Sequence, residues 1–492
     1  MIWSIGDGNE KSRGDTSGQM ECDISVDAAV IGGGITGVLC AYLLAEAGLD
    51  TAVFEKDTIG WDGGRTARST AKGTVAHRTI YSELARSISP EASRKYAAAN
   101  LAGLRLLHRL SDAPESDMYL YAMYGERRLK REYMFMHENG IDAEYLSGSE
   151  LPCGISEGLA PAAAIRLPGQ LRLDPVRLVR DVCSSGRFRV YEHTEVVSAG
   201  ENSLTTVSGN RVRAGYVIAA TNYPAFHEGI SSIKLYRMTS YAAAVRSRGG
   251  FRFPDAMAFG TDGGYGYRYA GTDGTLIVSG EAHRGAPSPN AVERLLRAAR
   301  EISNDGTIEV VGRWSNNDTY THDGIPIAGR MRCGIYTACG FGAWGMTNAA
   351  SAALIIAGQI TGRPLWYDDI FAPGRNFLRG GGAEFTEHAG VAIGGILKTM
   401  NAPPDRYAGE IERGQSGIIS LRGMRAGAYR DDDGRLFAVS LRCPHLGCSL
   451  EWNPAALTWD CPCHGSRFSY TGECVSDPAK RGISIDLSDT DL

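Results

Sequence analysis

The sequence lacks any apolar run long enough to cross a bilayer. Its longest, Ala349 to Ala357, is far short of the ~20 residues that a membrane-spanning helix needs. It lacks a basic excess too: 51 Lys and Arg stand against 56 Asp and Glu, a net charge of −5, so no nucleic-acid-binding face is expected. The first 22 residues are polar, without a basic start and apolar core, so no secretory signal is expected. Internal repeats and low-complexity tracts are missing as well. Cysteine is sparse outside one stretch. Five of the 11 lie between Cys443 and Cys474, while Cys22, Cys40, Cys153, Cys183, Cys333 and Cys339 are scattered and read mostly as buried free thiols. That usage fits a reducing, cytoplasmic setting. With 43% hydrophobic and 22% charged residues over 492 positions, the composition is that of a soluble globular protein of about three domains.

The cysteine-rich stretch carries the most chemistry. Cys443-Pro444-His445 is followed, after fifteen residues, by Cys461-Pro462-Cys463-His464, a C-x-H and a C-x-x-H. Two thiolates and two imidazoles at this spacing suit a Rieske [2Fe–2S] centre, with Cys443 and Cys461 on one iron and His445 and His464 on the other. A structural zinc knuckle is the alternative, although zinc pairs favour C-x₂₋₄-C spacing. Glu451-Trp452-Asn453 and the run Trp459 to Phe468 also resemble Rieske domains. The ligand set leaves Cys448 and Cys463 beside it, placed to join the two cluster loops by a disulfide. Ser466 is expected to donate a hydrogen bond to a bridging sulfide. Respiratory Rieske domains resemble this stretch but carry a Tyr where Phe468 stands.

A one-electron centre needs a partner, and the front of the chain supplies a candidate. Val26–Ile31 reads as a buried strand, Gly32-Gly33-Gly34-Ile35-Thr36-Gly37 as a G-x-G-x-x-G turn, and Ile35–Ala47 as a helix stopped by Gly48. A second strand, Thr51–Phe54, ends in Glu55, followed by Lys56. Such glycines allow close backbone approach to a pyrophosphate at a helix N-terminus, and Glu55 stands where an acid accepts from a ribose hydroxyl. Dinucleotide binding follows from this order of elements, but not which dinucleotide.

The sequel is more specific. Gly63 to Lys72 is a small-residue, basic loop containing Ser69 and Thr70, followed by a long helical stretch to about Leu110. Ile335–Ala338 reads as a late strand running into Gly340, Gly342, Trp344, Gly345 and Met346, before a helix from Ala349 to Ile360. A second glycine-rich strand-to-helix turn so far after the first resembles the D-amino-acid oxidase/sarcosine oxidase class of flavoproteins. The resemblance implies that this turn returns to the flavin ring and faces its N1–C2=O edge with backbone donors. It also implies that Pro168–Pro175 enters a second FAD-domain segment and that strands around Val197 and Val217–Thr221 pass the adenine. The segment Asn316–Tyr320 carries no cysteine for a covalent flavin, so FAD is expected to bind non-covalently.

The expected fold is an α/β Rossmann-type FAD-binding domain with an α+β antiparallel-sheet substrate domain and a C-terminal all-β Rieske domain. An extension (1–22) precedes the FAD-dependent oxidoreductase (23–366), with the substrate domain interleaved at about 80–160 and 225–310. A loop and helix (367–404) lead to the Rieske domain (405–492). Among the tyrosine-rich strands of 233–285, Tyr267 and Arg268 are the candidates to face substrate; the lone histidine His77 is a weaker one. Members of the class take hydride from a carbon bearing an amine. The expectation is an FAD-dependent dehydrogenase of an amine or amino acid, passing electrons singly through the cluster to an external carrier. The alternatives are a reductase in which the cluster feeds the flavin, and a non-catalytic electron-transfer protein.

Overall fold

The computed structural model describes residues 18–61, 63–151, 160–224, 226, 234–250, 253–270, 274–284, 290–303, 307–382, 386, 407–445, 447–454, 456–463, 465–476, 479 and 481–487. The chain divides into two compact units. The first comprises Met1–Leu235, Ser240–Glu281 and Val292–Gly381, and the second Tyr236–Thr239, Ala282–Ala291 and Gly382–Leu492.

The first unit is built on the strand Ile24–Ile31, whose last four residues are all buried. Both faces are covered, which is why Ala28-Ala29-Val30-Ile31 reads as a continuous apolar run. The strand pairs in parallel with Thr51–Phe54 on one side and Arg211–Asn222 on the other. Arg189–Tyr191 and Tyr336–Cys339 extend the sheet in parallel, and Ile327–Arg330 closes one edge antiparallel. The chain therefore leaves the central strand in one direction and returns in the other. The crevice beyond Ile31 and Asn222 is the switch point at which doubly wound sheets bind their ligands.

The helices Ile35–Glu46, Pro90–Leu110 and Gly345–Ile360 share the large core of this unit. The last two meet almost backbone to backbone. A Cβ on Gly103 would lie 2.6 Å from the Thr347 carbonyl oxygen, and Ser351 Oγ donates to the Ala99 carbonyl at 2.8 Å. The stretch expected as one long helix to Leu110 is two, Ile80–Ser87 and Pro90–Leu110. Pro90 cannot continue a preceding helix, and Ser89 caps the new one by accepting from the Ala92 N–H at 3.1 Å.

A second, nine-stranded sheet runs in the order Ile308–Thr321, Leu235–Ser247, Leu276–His283, Gly266–Tyr269, Met257–Gly260, Glu115–Ala122, Ala163–Arg172, Lys72–Gly73, with Glu144–Ser147 also on Ala163–Arg172. Most pairings are antiparallel, but Met257–Gly260 runs parallel to Glu115–Ala122. Pro168–Arg172, expected at the entry to an FAD-domain segment, ends a strand of this sheet. The helix of the second segment starts just after, at Pro175, capped by Asp174.

In the second unit, Ser416–Leu421, Met424–Arg430, Leu436–Ser440 and Ser484–Ile485 form one four-stranded antiparallel sheet. Glu451–Asn453, Thr458–Asp460, Arg467–Ser469 and Cys474–Ser476 form another. Trp459, buried, fills the space over Gly427, where a Cβ would lie 2.6 Å from its ring. The connecting helix expected over Ala383–Met400, apart from position 386, and the break at Asn401–Pro404 lie outside the described residues. Among the described residues, no helix is long and apolar enough to cross a membrane.

Candidate flavin and iron–sulfur sites

The first glycine-rich turn sits at the switch point. Gly32 has φ +104°, and a Cβ there would lie 2.7 Å from the Ala220 carbonyl oxygen, so the turn is pressed onto the neighbouring strand. A Cβ on Gly37 would lie 2.0 Å from the Gly32 oxygen, which seats the helix on its own turn. Ile35 and Thr36 are buried behind it. Only glycine permits this approach, and it brings the N-terminus of Ile35–Glu46 to the crevice, where its field favours a pyrophosphate. Thr66 Oγ1 accepts from the Ile35 N–H at 3.0 Å. Glu55 turns its carboxylate back to the turn, accepting from the Gly33 N–H at 2.6 Å and the Asp57 N–H at 2.9 Å. Lys56 lies over the Trp61 ring, 5.8 Å from its centroid, and Val197 is exposed on the hairpin Val196–Ala199/Ser203–Thr206. Ser69 Oγ accepts from the Ala71 N–H at 2.9 Å, fixing the basic loop. These residues fit FAD: a glycine cradle, a helix N-terminus and an acid at the end of the second strand.

The late turn needs the same backbone freedom. Gly340 and Gly342 have φ +76° and +58°, and a Cβ on Gly340 would lie 2.6 Å from Thr321 Cγ2. Trp344 caps the helix opened by Gly345, while Met346 is buried in the core. His77 stacks on Trp344 with ring centroids 5.0 Å apart. Its Nδ1 meets Tyr96 Oη at 2.8 Å, and its Nε2 meets the Thr74 oxygen at 2.8 Å and Thr347 Oγ1 at 2.9 Å. Burial holds its pKa down at about 3. A neutral imidazole with both nitrogens engaged is a clamp that fixes Trp344 and the helix start, not a proton carrier.

Tyr267 and Arg268 point to opposite faces of their strand. Through the pairing register, Arg268 shares its face with Gly266, Phe259 and Ser279. Phe259 packs edge-on against Trp344 with centroids 5.2 Å apart, so this face meets the late turn. Tyr267 lies on the other face, stacked on Tyr121. Arg268 is only 2% exposed and donates to the Leu173 carbonyl. Of the two expected to face substrate, Tyr267 thus lies on the face away from Trp344 and Arg268 on the face toward it, buried beside Leu173.

Two further cations, Lys72 and Arg78, lie beside Phe259. Lys72 Nζ, Ser279 Oγ and the Phe259 ring converge on the space above Gly266, at 3.2, 2.7 and 3.2 Å from where its Cβ would stand. Burial and the nearby Arg268 charge lower the Lys72 pKa to about 7. Arg78, exposed and with φ +58°, holds its guanidinium over the Phe259 ring, 5.3 Å from the centroid. Half-buried Asp318 is raised to about 6 by burial, against the opposing pull of Arg65 and Arg78.

The cluster ligands sit on two loops that fold alike. Cys443 N–H donates to the Cys448 oxygen at 2.9 Å and Gly447 N–H to the Cys443 oxygen at 2.9 Å. Cys461 N–H donates to the Ser466 oxygen at 2.8 Å and Gly465 N–H to the Cys461 oxygen at 2.9 Å. The glycines at the fifth position, Gly447 and Gly465, have φ +78° and +74°, which the repeated turn requires. Cys448 and Cys463 form a disulfide between the loops, with Cα atoms 6.6 Å apart. Cys443 and Cys461 are buried and stand outside the disulfide, and His445 is half-buried, whereas His464 lies outside the described residues. Cys461 Sγ lies within 4.8 Å of the disulfide sulfurs. The disulfide thus does not use the cysteine at the head of either matched loop, and this donor set fits a Rieske cluster. At the base of the second loop, buried Asp460 accepts from Arg467 Nε at 3.1 Å, from Asn453 at 2.8 Å and from Thr458 at 2.7 Å.

Ser466 Oγ accepts from the Ala479 N–H at 3.0 Å, which leaves its own proton available to a sulfide. Phe468, fully buried, cannot donate. A donor to a cluster sulfur draws off charge and raises the potential. Phe468→Tyr is therefore expected to raise the cluster midpoint in a redox titration; an identical midpoint with the cluster loaded would remove the argument.

Comparison with known proteins agrees with both halves. The FAD dependent oxidoreductase family model matches residues 27–359 and the Rieske [2Fe-2S] domain model residues 402–485. A Bacillus subtilis (strain 168) chain named as a Rieske 2Fe-2S iron-sulfur protein, YhfW, is 30% identical over 94% of each chain. Glycine oxidase from Geobacillus kaustophilus superposes with a TM-score of 0.57 at 21% identity, covering 72% of this chain and 99% of that one. L-amino acid deaminase from Proteus vulgaris, with its specific insertion deleted, gives 0.60 at 16% identity, covering 74% and 97%. L-proline dehydrogenase from P. horikoshii gives 0.56 at 20%, covering 72% and 98%. The chain belongs to the FAD-dependent oxidoreductase family of D-amino-acid-oxidase type and carries a C-terminal Rieske [2Fe–2S] domain.

Proposed function

We propose that the protein is a dehydrogenase of an amine or amino acid, delivering electrons one at a time through its Rieske centre to an external carrier. When bound, FAD would accept hydride from a carbon bearing nitrogen, and the cluster would carry the electrons outward singly. The observation that supports the substrate class is a pair of cations beside one ring: Lys72 Nζ and the Phe259 ring meet at Gly266, and the Arg78 guanidinium lies over that ring, 5.3 Å from its centroid. The three structural neighbours named above act, by their titles, on glycine, proline and L-amino acids, which supports the same class.

The residues divide the work by charge. The exposed Arg78 guanidinium offers a planar fork to a substrate carboxylate. Phe259, edge-on against Trp344, sets apolar rings beside the Lys72 amine. Lys72, neutral above about pH 7, can take the proton that a substrate ammonium must lose before its nitrogen lone pair can assist C–H cleavage. The Lys72 Nζ gains that proton and the substrate nitrogen becomes the free amine.

Anaerobic mixing with N-methyl, secondary and primary amino acids, following loss of the oxidised-flavin absorbance, tests the reading. Bleaching by at least one amine supports it; bleaching by none, with a reduced carrier effective, contradicts it. Arg78→Met is expected to raise the KM for a carboxylate-bearing substrate by about tenfold to a hundredfold, the value of a charge-assisted hydrogen bond. The amine lacking the carboxylate should be little affected. Equal losses for both would show that Arg78 is not the carboxylate contact.

A further inference from the structure

The second unit recruits two short pieces from earlier in the chain, Tyr236–Thr239 and Ala282–Ala291. Each brings an arginine to the second cluster loop. Arg284 Nε donates to the Pro462 carbonyl at 3.1 Å and its Nη2 to the Cys463 carbonyl at 2.8 Å. These two consecutive carbonyls lie between Cys461 and His464 in the ligand motif. The Tyr236 ring lies under the guanidinium, 5.9 Å from its carbon, and helps to fix its plane. Arg237, only 3% exposed, lays its stem against Gly465, where a Cβ would lie 2.6 Å away, and donates to Ser476 Oγ at 2.8 Å.

We propose that Arg284 sets the reduction potential of the [2Fe–2S] centre, as a positioning and charge-supplying residue contributed from outside the Rieske sequence. Reduction adds one negative charge to the cluster, and nearby charge and hydrogen bonding decide what that addition costs. A guanidinium bonded to two successive peptides of the ligand loop polarises both amides and places a fixed positive charge beside the loop. At this half-buried position the charge favours the reduced state and raises the potential. The fork also spans both carbonyls at once, which a lysine ammonium cannot do. The cation comes from Ala282–Ala291, far from the ligand motifs in sequence but in the same compact unit.

The test is a potentiometric titration of the full-length holoprotein monitored by the Rieske spin-resonance signal, with cluster content read separately from acid-labile sulfide. In Arg284→Gln, the reduced-to-oxidised ratio at the wild-type midpoint should fall about tenfold, a shift of ~59 mV for a one-electron couple. The midpoint of the bound FAD should not move. A purely structural role would lower cluster content and leave the midpoint of the loaded fraction unchanged, and that result overturns the proposal. Should Arg284→Gln hold no cluster, Arg284→Lys decides. A midpoint below wild type supports the two-pronged contact, and a wild-type midpoint refutes it.

Discussion

His445→Ala, or Cys461→Ser, is expected to abolish the Rieske absorbance and spin-resonance signature completely while FAD stays bound. His445 and Cys461 belong to two matched loops of the second unit, each closed by the same two backbone hydrogen bonds. The FAD cradle at Gly32–Gly37 is made within the first unit. Cys448 and Cys463 cannot stand in for a lost ligand, because they are committed to their disulfide. The check is acid-labile sulfide and flavin content on the same sample. Stoichiometric zinc without sulfide in the wild type would mean that these cysteines and histidines form a different centre.

The second large effect is at Lys72. Its amine is buried and its pKa is lowered to about 7, chiefly by loss of hydration and then by the Arg268 charge. A lowered lysine pKa means that the proton is lost as pH rises through about 7, so the acceptor form is present above that pH. Anaerobic flavin reduction by an amino acid should therefore rise with pH through about 7 and level off. In Lys72→Met the rate should fall by about a hundredfold to ten-thousandfold, the range of general base catalysis. What remains should rise only where the substrate ammonium itself ionises. A wild-type pH profile in the variant would assign the proton to another group.

The sequence revealed most where a motif is local. Strand, G-x-G-x-x-G turn and helix follow one another within a few residues, and the observed strand and helix differ from the expected ones by one or two positions at their ends. The two cluster loops were legible for the same reason, down to the disulfide. What escaped depends on register across distant strands. Alternation alone says that Tyr267 and Arg268 diverge, but only the pairing of Gly266 with Phe259 and Ser279 shows which face meets Trp344. Lys72 stands in a strand of two residues, too short for any periodicity to mark it. Arg78 takes its place through a positive φ that its residue type does not announce. Ser89 before Pro90 was a readable helix start inside the stretch taken as one helix. The contribution of Ala282–Ala291 to the cluster unit leaves no sequence mark, since nothing in those residues resembles a ligand motif.

The central claim is that electrons taken from an amine reach the Rieske centre. It is tested most directly by mixing the oxidised full-length protein anaerobically with a substrate amine, freezing at intervals, and recording flavin absorbance and the Rieske spin-resonance signal together. The account predicts loss of the oxidised-flavin absorbance accompanied by a reduced-cluster signal that grows to a stoichiometric level without any added carrier. Complete bleaching with the cluster still oxidised, or a cluster reduced only by an external carrier while no amine bleaches the flavin, would contradict it.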